Sequence, residues 1–208
     1  ALRCLAAERG AAAHALRLSP GAPQPGSLPD LPADHSDTLV YDGTALWRQQ
    51  WVVTPLGERS RPRVILAAGG LRGIVGPILT ALSPERCVVV GRSPADTLKD
   101  ELAALQRDVP GATYVQADVT SPSDLARAVA ALGAPPDLVL HGAAVLRDRR
   151  GADLTPEDVH AVFAPRLAGL RALRDAVPDA PIALLSSVAA HAASPGQAAY
   201  AAANAACE

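Results

Sequence analysis

Methionine is absent from the 208 residues, phenylalanine occurs once, and aromatic residues make up only 3% of the chain. With 49% apolar residues a core is affordable, but it has to be built from Ala, Val and Leu. Lacking an initiator and opening and closing in helix-like sequence, the chain is expected to be part of a longer polypeptide. Cysteine is scarce: Cys4, Cys87 and Cys207 are an odd number, far apart and in no metal-ligand spacing. That excludes a disulfide or zinc framework and points to a reducing compartment. Charge of either sign is nearly balanced at −2, which excludes a general electrostatic case for nucleic acid or an anionic membrane. No apolar run approaches a membrane span and no signal-peptide pattern opens the chain, so a cytoplasmic location is expected. Lysine occurs once, at Lys99.

What is present divides at about residue 62. Residues 1–10 (ALRCLAAERG) read as the end of a helix stopped by Gly10, and His14 to Leu18 as a short strand. Five prolines between residues 19 and 37 make an extended, irregular connection. The runs TLVY and TALWRQQWVV flank Asp42-Gly43, a hairpin signal because Asp-Gly suits a tight turn with positive φ. From Arg63 onward, apolar strand-like runs at 64–68, 87–90, 113–117, 137–141 and 182–186 alternate with helical stretches near 73–82, 95–107, 121–132, 155–176 and 198–208. Continuous apolar strands alternating with helices imply a parallel sheet covered on both faces. The fourth helix opens on Thr155-Pro156-Glu157-Asp158, a cap, a first-turn proline and acids; Pro165 is expected to kink or divide it.

The chemistry-bearing residues fall at the ends of these strands. The first runs into Gly69-Gly70-Leu71-Arg72-Gly73-Ile74 and then a helix, a turn whose glycines let backbone N–H groups approach a pyrophosphate. An ordinary strand–helix turn stays open as the alternative. The second strand ends in Gly91-Arg92-Ser93, where a dinucleotide ribose would lie. An Arg there suits a 2′-phosphate, which favours NADPH over NADH; a solvated surface Arg is the alternative. Asp118-Val119 end the third strand on the adenine side, and His141-Gly142-Ala143 end the fourth on the nicotinamide side, with the His141 side chain read as structural rather than catalytic. The fifth strand is expected to end in Ser186-Ser187. Thirteen residues after Ser187 comes Tyr200, and Asn204 follows at helical i+4 spacing on the same face. A Tyr can donate a proton to a ketone oxygen while a Ser hydroxyl bonds the same oxygen and a nicotinamide delivers hydride. A core Tyr beside a polar turn is the alternative.

Taken together, the segments AGGLRGI, GRS, ADVT, LVLHGAAVLRD, LTPEDVHAVFAPRLAGL and LLSSVAAHAASPGQAAYAAANA resemble the short-chain dehydrogenase/reductase family, in that family's order over about residues 63–208. More closely they resemble the ketoreductase domains of polyketide synthases, especially those of iterative enediyne and polyunsaturated fatty-acid synthases. The resemblance implies an α/β, Rossmann-like doubly wound parallel sheet, here C-terminally truncated. It also implies NADPH-dependent reduction of a β-ketoacyl thioester carried on an acyl carrier protein, among other synthase domains. It places Ser187, Tyr200 and Asn204 on the catalytic Ser, Tyr and Asn positions. Residues 1–62 resemble the tail of the cofactor-less structural half-domain that precedes such ketoreductases.

The chain departs from this pattern at three places. Ala68 stands where the family has Thr, Val75 where it has Gly, and Arg166 where it has the catalytic Lys. Arg keeps the charge but has a bulkier, planar head. A Leu-Asp-Asp signature that marks one product hand reads Leu146-Arg147-Asp148 here. An active reductase and a catalytically silent, structural reductase-like module are both consistent with these residues. A free-standing dehydrogenase for small alcohols is disfavoured by the half-domain tail.

Overall fold

The computed structural model describes residues 2–9, 15–18, 21, 38–41, 44–48, 60–192 and 194–208. Helix α1 (Leu2–Glu8) is followed by a small sheet in which β1 (Ala15–Leu18) runs parallel to β2 (Thr38–Tyr41), and β2 pairs antiparallel with β3 (Leu46–Arg48). The expected hairpin is present, with Tyr41 opposite Leu46. Its Asp42-Gly43 turn, Gly10, the prolines of the 19–37 connection and the strand-like residues 49–53 lie outside the described residues.

The remainder alternates strand and helix, and every strand pair in its sheet is parallel. The strands are β4 (Val64–Ala68), β5 (Arg86–Gly91), β6 (Ala112–Gln116), β7 (Leu138–His141) and β8 (Ile182–Leu184), ordered β6-β5-β4-β7-β8. The order reverses between β5 and β7 on either side of β4, which opens a crevice beyond the strand ends. The period-2 alternation along each strand sends successive side chains to opposite layers. Ile65, Ala67, Cys87 and Val89 pack against α2 (Val75–Leu82) and α3 (Lys99–Asp108). Leu66, Val88, Val90 and Val139 pack against α4 (Pro122–Leu132) and α6 (Gly169–Ala176). Both faces are dry, and few of the large residues that would fill a thicker layer are needed.

Local signals place the helix starts. Ser121 accepts a hydrogen bond from the Asp124 N–H, with Pro122 at the first helical position. Thr155 and Asp158 form a reciprocal capping box at the head of α5 (Pro156–Phe163). The helix expected over 155–176 is divided at Pro165. A π-helical stretch, Ala164–Ala168, separates α5 from α6, because Pro165 has no N–H to continue the ladder. The stretch expected at 95–107 begins as a 3₁₀ turn, Ala95–Leu98, before α3. Strand β8 stops at Leu184 and not at Ser186. The Ser186 N–H turns back to the Leu184 carbonyl, and the Leu185 carbonyl is taken by Arg166. The last helix, α7 (Ala198–Cys207), follows a 3₁₀ turn at Val188–Ala190. Among the described residues no helix is long and apolar enough to cross a membrane, and no cluster of His, Cys, Asp or Glu could hold a metal. Cys4, Cys87 and Cys207 are all free, and burial pushes the Cys87 thiol up to about 11.

Candidate active site

The C-terminal ends of β4, β5, β6 and β7 open onto one crevice of about 540 Å³, closed on its far side by His160, Ala161, Ala164 and Pro165. Gly69, Gly70, Leu71 and Arg72 line it after β4; Arg92 and Ser93 after β5; Asp118 and Val119 after β6; Ala143 after β7. The polar strand ends expected to share a crevice are therefore brought together.

Glycine is required at the head of the crevice. Gly69 has φ 138°, and a Cβ there would stand 2.7 Å from the Gly142 carbonyl carbon. Gly70 and Gly73 also sit at positive φ. The Gly69 and Gly70 N–H groups are spent on the Val90 carbonyl, at 3.1 and 3.0 Å. Those of Arg72, Gly73 and Ile74, at the head of α2, make no hydrogen bond within the described residues. Of the residues expected to line the crevice, Gly73, the exposed Ile74, the buried His141 and Gly142 do not.

The charged groups divide into committed and uncommitted. Arg72 is pinned to Glu101 (2.7 Å) and to the Thr97 carbonyl (2.7 Å), and its guanidinium holds the Glu101 carboxyl below the usual range. The Asp118 carboxylate accepts from the Thr120 N–H and hydroxyl, both at 2.8 Å. The Arg92 side chain is exposed and has no partner among the described residues; only its carbonyl is engaged, by the Gln116 amide. Beyond Arg92 the crevice continues into an open basin of about 690 Å³ lined by Tyr114, Gln116, Asp124 and Arg127. Arg147, in the loop after β7, lines the opposite part of the crevice.

The second group of expected residues gathers behind the crevice wall. Arg166 is 1% exposed and Asn204 fully buried. One Arg166 Nη donates to the Asn204 carbonyl oxygen and, at 2.9 Å, to the Leu185 carbonyl. The Asn204 amide donates to the Tyr200 carbonyl (2.8 Å), which closes the helical turn between them. The Arg166 Nε and His141 Nδ1 are buried without partners. His141 is fully buried and its Nε2 meets the Arg166 carbonyl at 3.1 Å; burial first, then the neighbouring guanidinium, push its pKa down to about 4 against the opposing pull of that carbonyl. Its side chain thus stays neutral and points away from the crevice, as a structural residue does. Ser187 is half-buried, its hydroxyl oxygen accepting from the Ala189 N–H at 3.2 Å. Tyr200 is half-buried beside Phe163, and its phenol has no hydrogen-bond partner among the described residues. Arg166 and Asn204 are brought together; no hydrogen bond links either of them to the Ser187 hydroxyl or the Tyr200 phenol.

Two features escaped sequence reasoning. The Arg166–Asn204 pair spans 38 residues with no local spacing to announce it. The basin beyond Arg92 depends on the edge-strand residue Gln116 and on Arg127 of α4, which no motif marks.

This geometry is the α/β, Rossmann-like parallel sheet of the short-chain reductases. Residues 64–208 match the model of the KR domain, and the chain belongs to that family, the ketoreductase domains of polyketide synthases. It is 34% identical over 189 residues to a mycocerosic acid synthase-like polyketide synthase of Mycolicibacterium smegmatis, covering 83% of this chain and 9% of that protein. A phthioceranic/hydroxyphthioceranic acid synthase of Mycobacterium tuberculosis is 30% identical over 203 residues, again 94% of this chain and 9% of the synthase. The chain thus spans less than a tenth of these relatives' length. Among solved structures, the PlmKR1 ketoreductase from the first module of phoslactomycin biosynthesis in Streptomyces sp. HK803 superposes with a TM-score of 0.69 at 30% identity, over 81% of this chain and 43% of that one. A short-chain dehydrogenase of Burkholderia cenocepacia, solved in complex with NADP, shares the fold at 23% identity and a TM-score of 0.60, over 69% of this chain and 63% of that one.

Proposed function

We propose that the chain is the NADPH-dependent reductase of a β-ketoacyl thioester, carried on an acyl carrier protein and reduced to the β-hydroxyacyl thioester within a polyketide or polyunsaturated fatty-acid synthase. The observation that carries the reading is the crevice itself, with a bare glycine turn after β4 and, beside it after β5, the Arg92 guanidinium, which has no partner among the described residues. These residues fit a nicotinamide dinucleotide. A side chain at Gly69 would strike the Gly142 backbone, so the turn stays bare, and the unpaired N–H groups at the head of α2 would be available to a pyrophosphate. Arg92 would hold the 2′-phosphate, Asp118 and Val119 would flank the adenine, and Gly142 and Ala143 would border the nicotinamide. When bound, the cofactor supplies a hydride to the β-carbon of the ketone.

The chain's own residues handle the oxygen. Tyr200 donates its phenolic proton to the ketone oxygen, and Ser187, whose oxygen accepts from the Ala189 N–H, keeps its O–H to donate to the same atom. Asn204 fixes the α7 turn that carries Tyr200. The quoted segments favour a host synthase of the iterative enediyne or polyunsaturated fatty-acid group. The separate three-stranded sheet supports reading residues 1–62 as the tail of a structural half-domain, with 63–208 as the NADP-binding domain. A cytoplasmic setting follows from the reading as a synthase domain.

A second reading, a silent structural module, is favoured by one observation. Arg166, which stands where the family resemblance expects a lysine, is buried and tied to Asn204 and the Leu185 carbonyl. Mass spectrometry of a β-ketoacyl thioester incubated with NADPH and the full chain separates the two. The reduction reading expects the acyl group to gain a pair of hydrogens, and expects Tyr200→Phe to slow this about 10²–10⁴-fold. An unreduced acyl group with NADPH bound would establish the silent module.

A further inference from the structure

Helix α1 lies outside the parallel sheet, yet its carboxylate reaches two loops of the reductase half. Glu8 Oε2 accepts from the Gly151 N–H and Glu8 Oε1 from the Gly196 N–H, each at 2.8 Å, across 143 and 188 residues of sequence. Apolar packing seats the helix there: Cys4, 1% exposed, lies against Ala189, Ala198 and Ala201, and Leu5 fills the space a side chain at Gly151 would need. The two loops are also joined to each other, by the Arg149 N–H on the Gly196 carbonyl (2.8 Å) and by Gln197 on the Asp148 carboxylate (3.1 Å). One loop carries Arg147 into the crevice; the other leads from the Ser187 turn into the first turn of α7, which holds Tyr200. Gly196 holds a positive φ of 80°, so its N–H is aimed by a conformation that few other residues adopt.

We propose that Glu8 is a positioning residue: its carboxylate, supplied from outside the dinucleotide-binding sheet, clamps the two loops that border Ser187 and Tyr200 and thereby sets their place relative to the acyl substrate. What is positioned rests on the reduction reading; the clamp does not. The two backbone N–H groups, with Arg150 and Arg9 behind them, also hold the Glu8 carboxyl below its ordinary range, so the accepting form persists through mildly acidic conditions.

The test is made on the full chain with Glu8→Ala and Glu8→Gln. Gln keeps one acceptor oxygen and turns a donor toward the other N–H, so it can serve one loop only. Hydrogen exchange of peptides covering 148–155 and 194–200 should quicken about tenfold in Glu8→Ala while 86–91 is unchanged, and Glu8→Gln should free one of the two loops. KM for a β-ketoacyl thioester should rise about tenfold in Glu8→Ala, with the Kd for NADPH unchanged. Unchanged exchange in both loops, or faster exchange spread over the whole sheet, would overturn the clamp. Parallel loss of NADPH affinity would overturn the assignment to the acyl side. Should Glu8→Ala fail to fold, Glu8→Gln carries the same comparisons. If the wild-type chain binds NADPH but reduces nothing, the reduction reading falls, and the exchange measurement still decides the clamp.

Discussion

In the proposed reduction, the residue expected to bear most directly on rate is Arg166. Buried and without a carboxylate partner, it is held by a side-chain amide and a backbone carbonyl, and its Nε bonds to nothing. A cation in that position can stabilise the phenolate left by Tyr200 only if it is released toward the phenol. The planar fork of Arg is instead spent on two oxygens at fixed angles. A lysine ammonium, with three rotatable donors, could keep one bond to Asn204 and turn another outward. Arg166→Lys is therefore expected to raise kcat for β-ketoacyl reduction about tenfold or more, within the 10²–10⁴-fold that one positioned partner commonly supplies. Steady-state kinetics check this; an unchanged or lower kcat with NADPH affinity intact would show that the guanidinium already does the work of a lysine. After β5, the Arg92 side chain has no partner among the described residues. Arg92→Ala should weaken NADPH about tenfold or more and leave NADH nearly unchanged, since a charge-assisted contact to the 2′-phosphate is all that distinguishes them there. Titration of both cofactors decides it, and equal losses for the two would remove Arg92 from the phosphate.

At the scale of elements, what could be read from sequence was what depends on neighbours in the chain. The apolar runs became β4, β5 and β7 because a strand buried on both faces must be apolar throughout, while β6 and β8, at the sheet edges, keep partly exposed residues. Thr155-Pro156-Glu157-Asp158 became a capping box, and Pro165 broke its helix, for reasons confined to one turn. The glycine turn was legible as a turn, and its need for glycine became visible only when Gly142 of a distant strand end came to lie against Gly69. The end of β8 was misjudged by two residues, because the competitor for the Leu185 carbonyl is Arg166, nineteen residues away. Glu8 was unreadable on the same ground: a lone acid at the end of a helix says nothing of two N–H groups far along the chain. Ser187, Tyr200 and Asn204 were legible through the family resemblance, since their spacing alone reads equally as a core Tyr beside a polar turn.

For the whole molecule, two layers of helices on a five-stranded sheet leave one crevice at the strand ends, and the committed and free charges within it define its use. Arg72 and Asp118 are consumed by the scaffold, whereas Arg92 and Arg147 remain to meet a ligand. The helix α1, from the part of the chain outside this sheet, grips both loops through Glu8. On the proposed function, the sheet would hold the cofactor and the loops the acyl chain. The most direct test follows the consumption of NADPH by its near-ultraviolet absorbance when a β-ketoacyl thioester is added to the wild-type chain and to Tyr200→Phe. The account predicts substrate-dependent consumption that is slow in the wild type and lost in Tyr200→Phe, with NADPH bound equally by both. Consumption unaltered by Tyr200→Phe, or none in a wild-type chain saturated with NADPH, would contradict it.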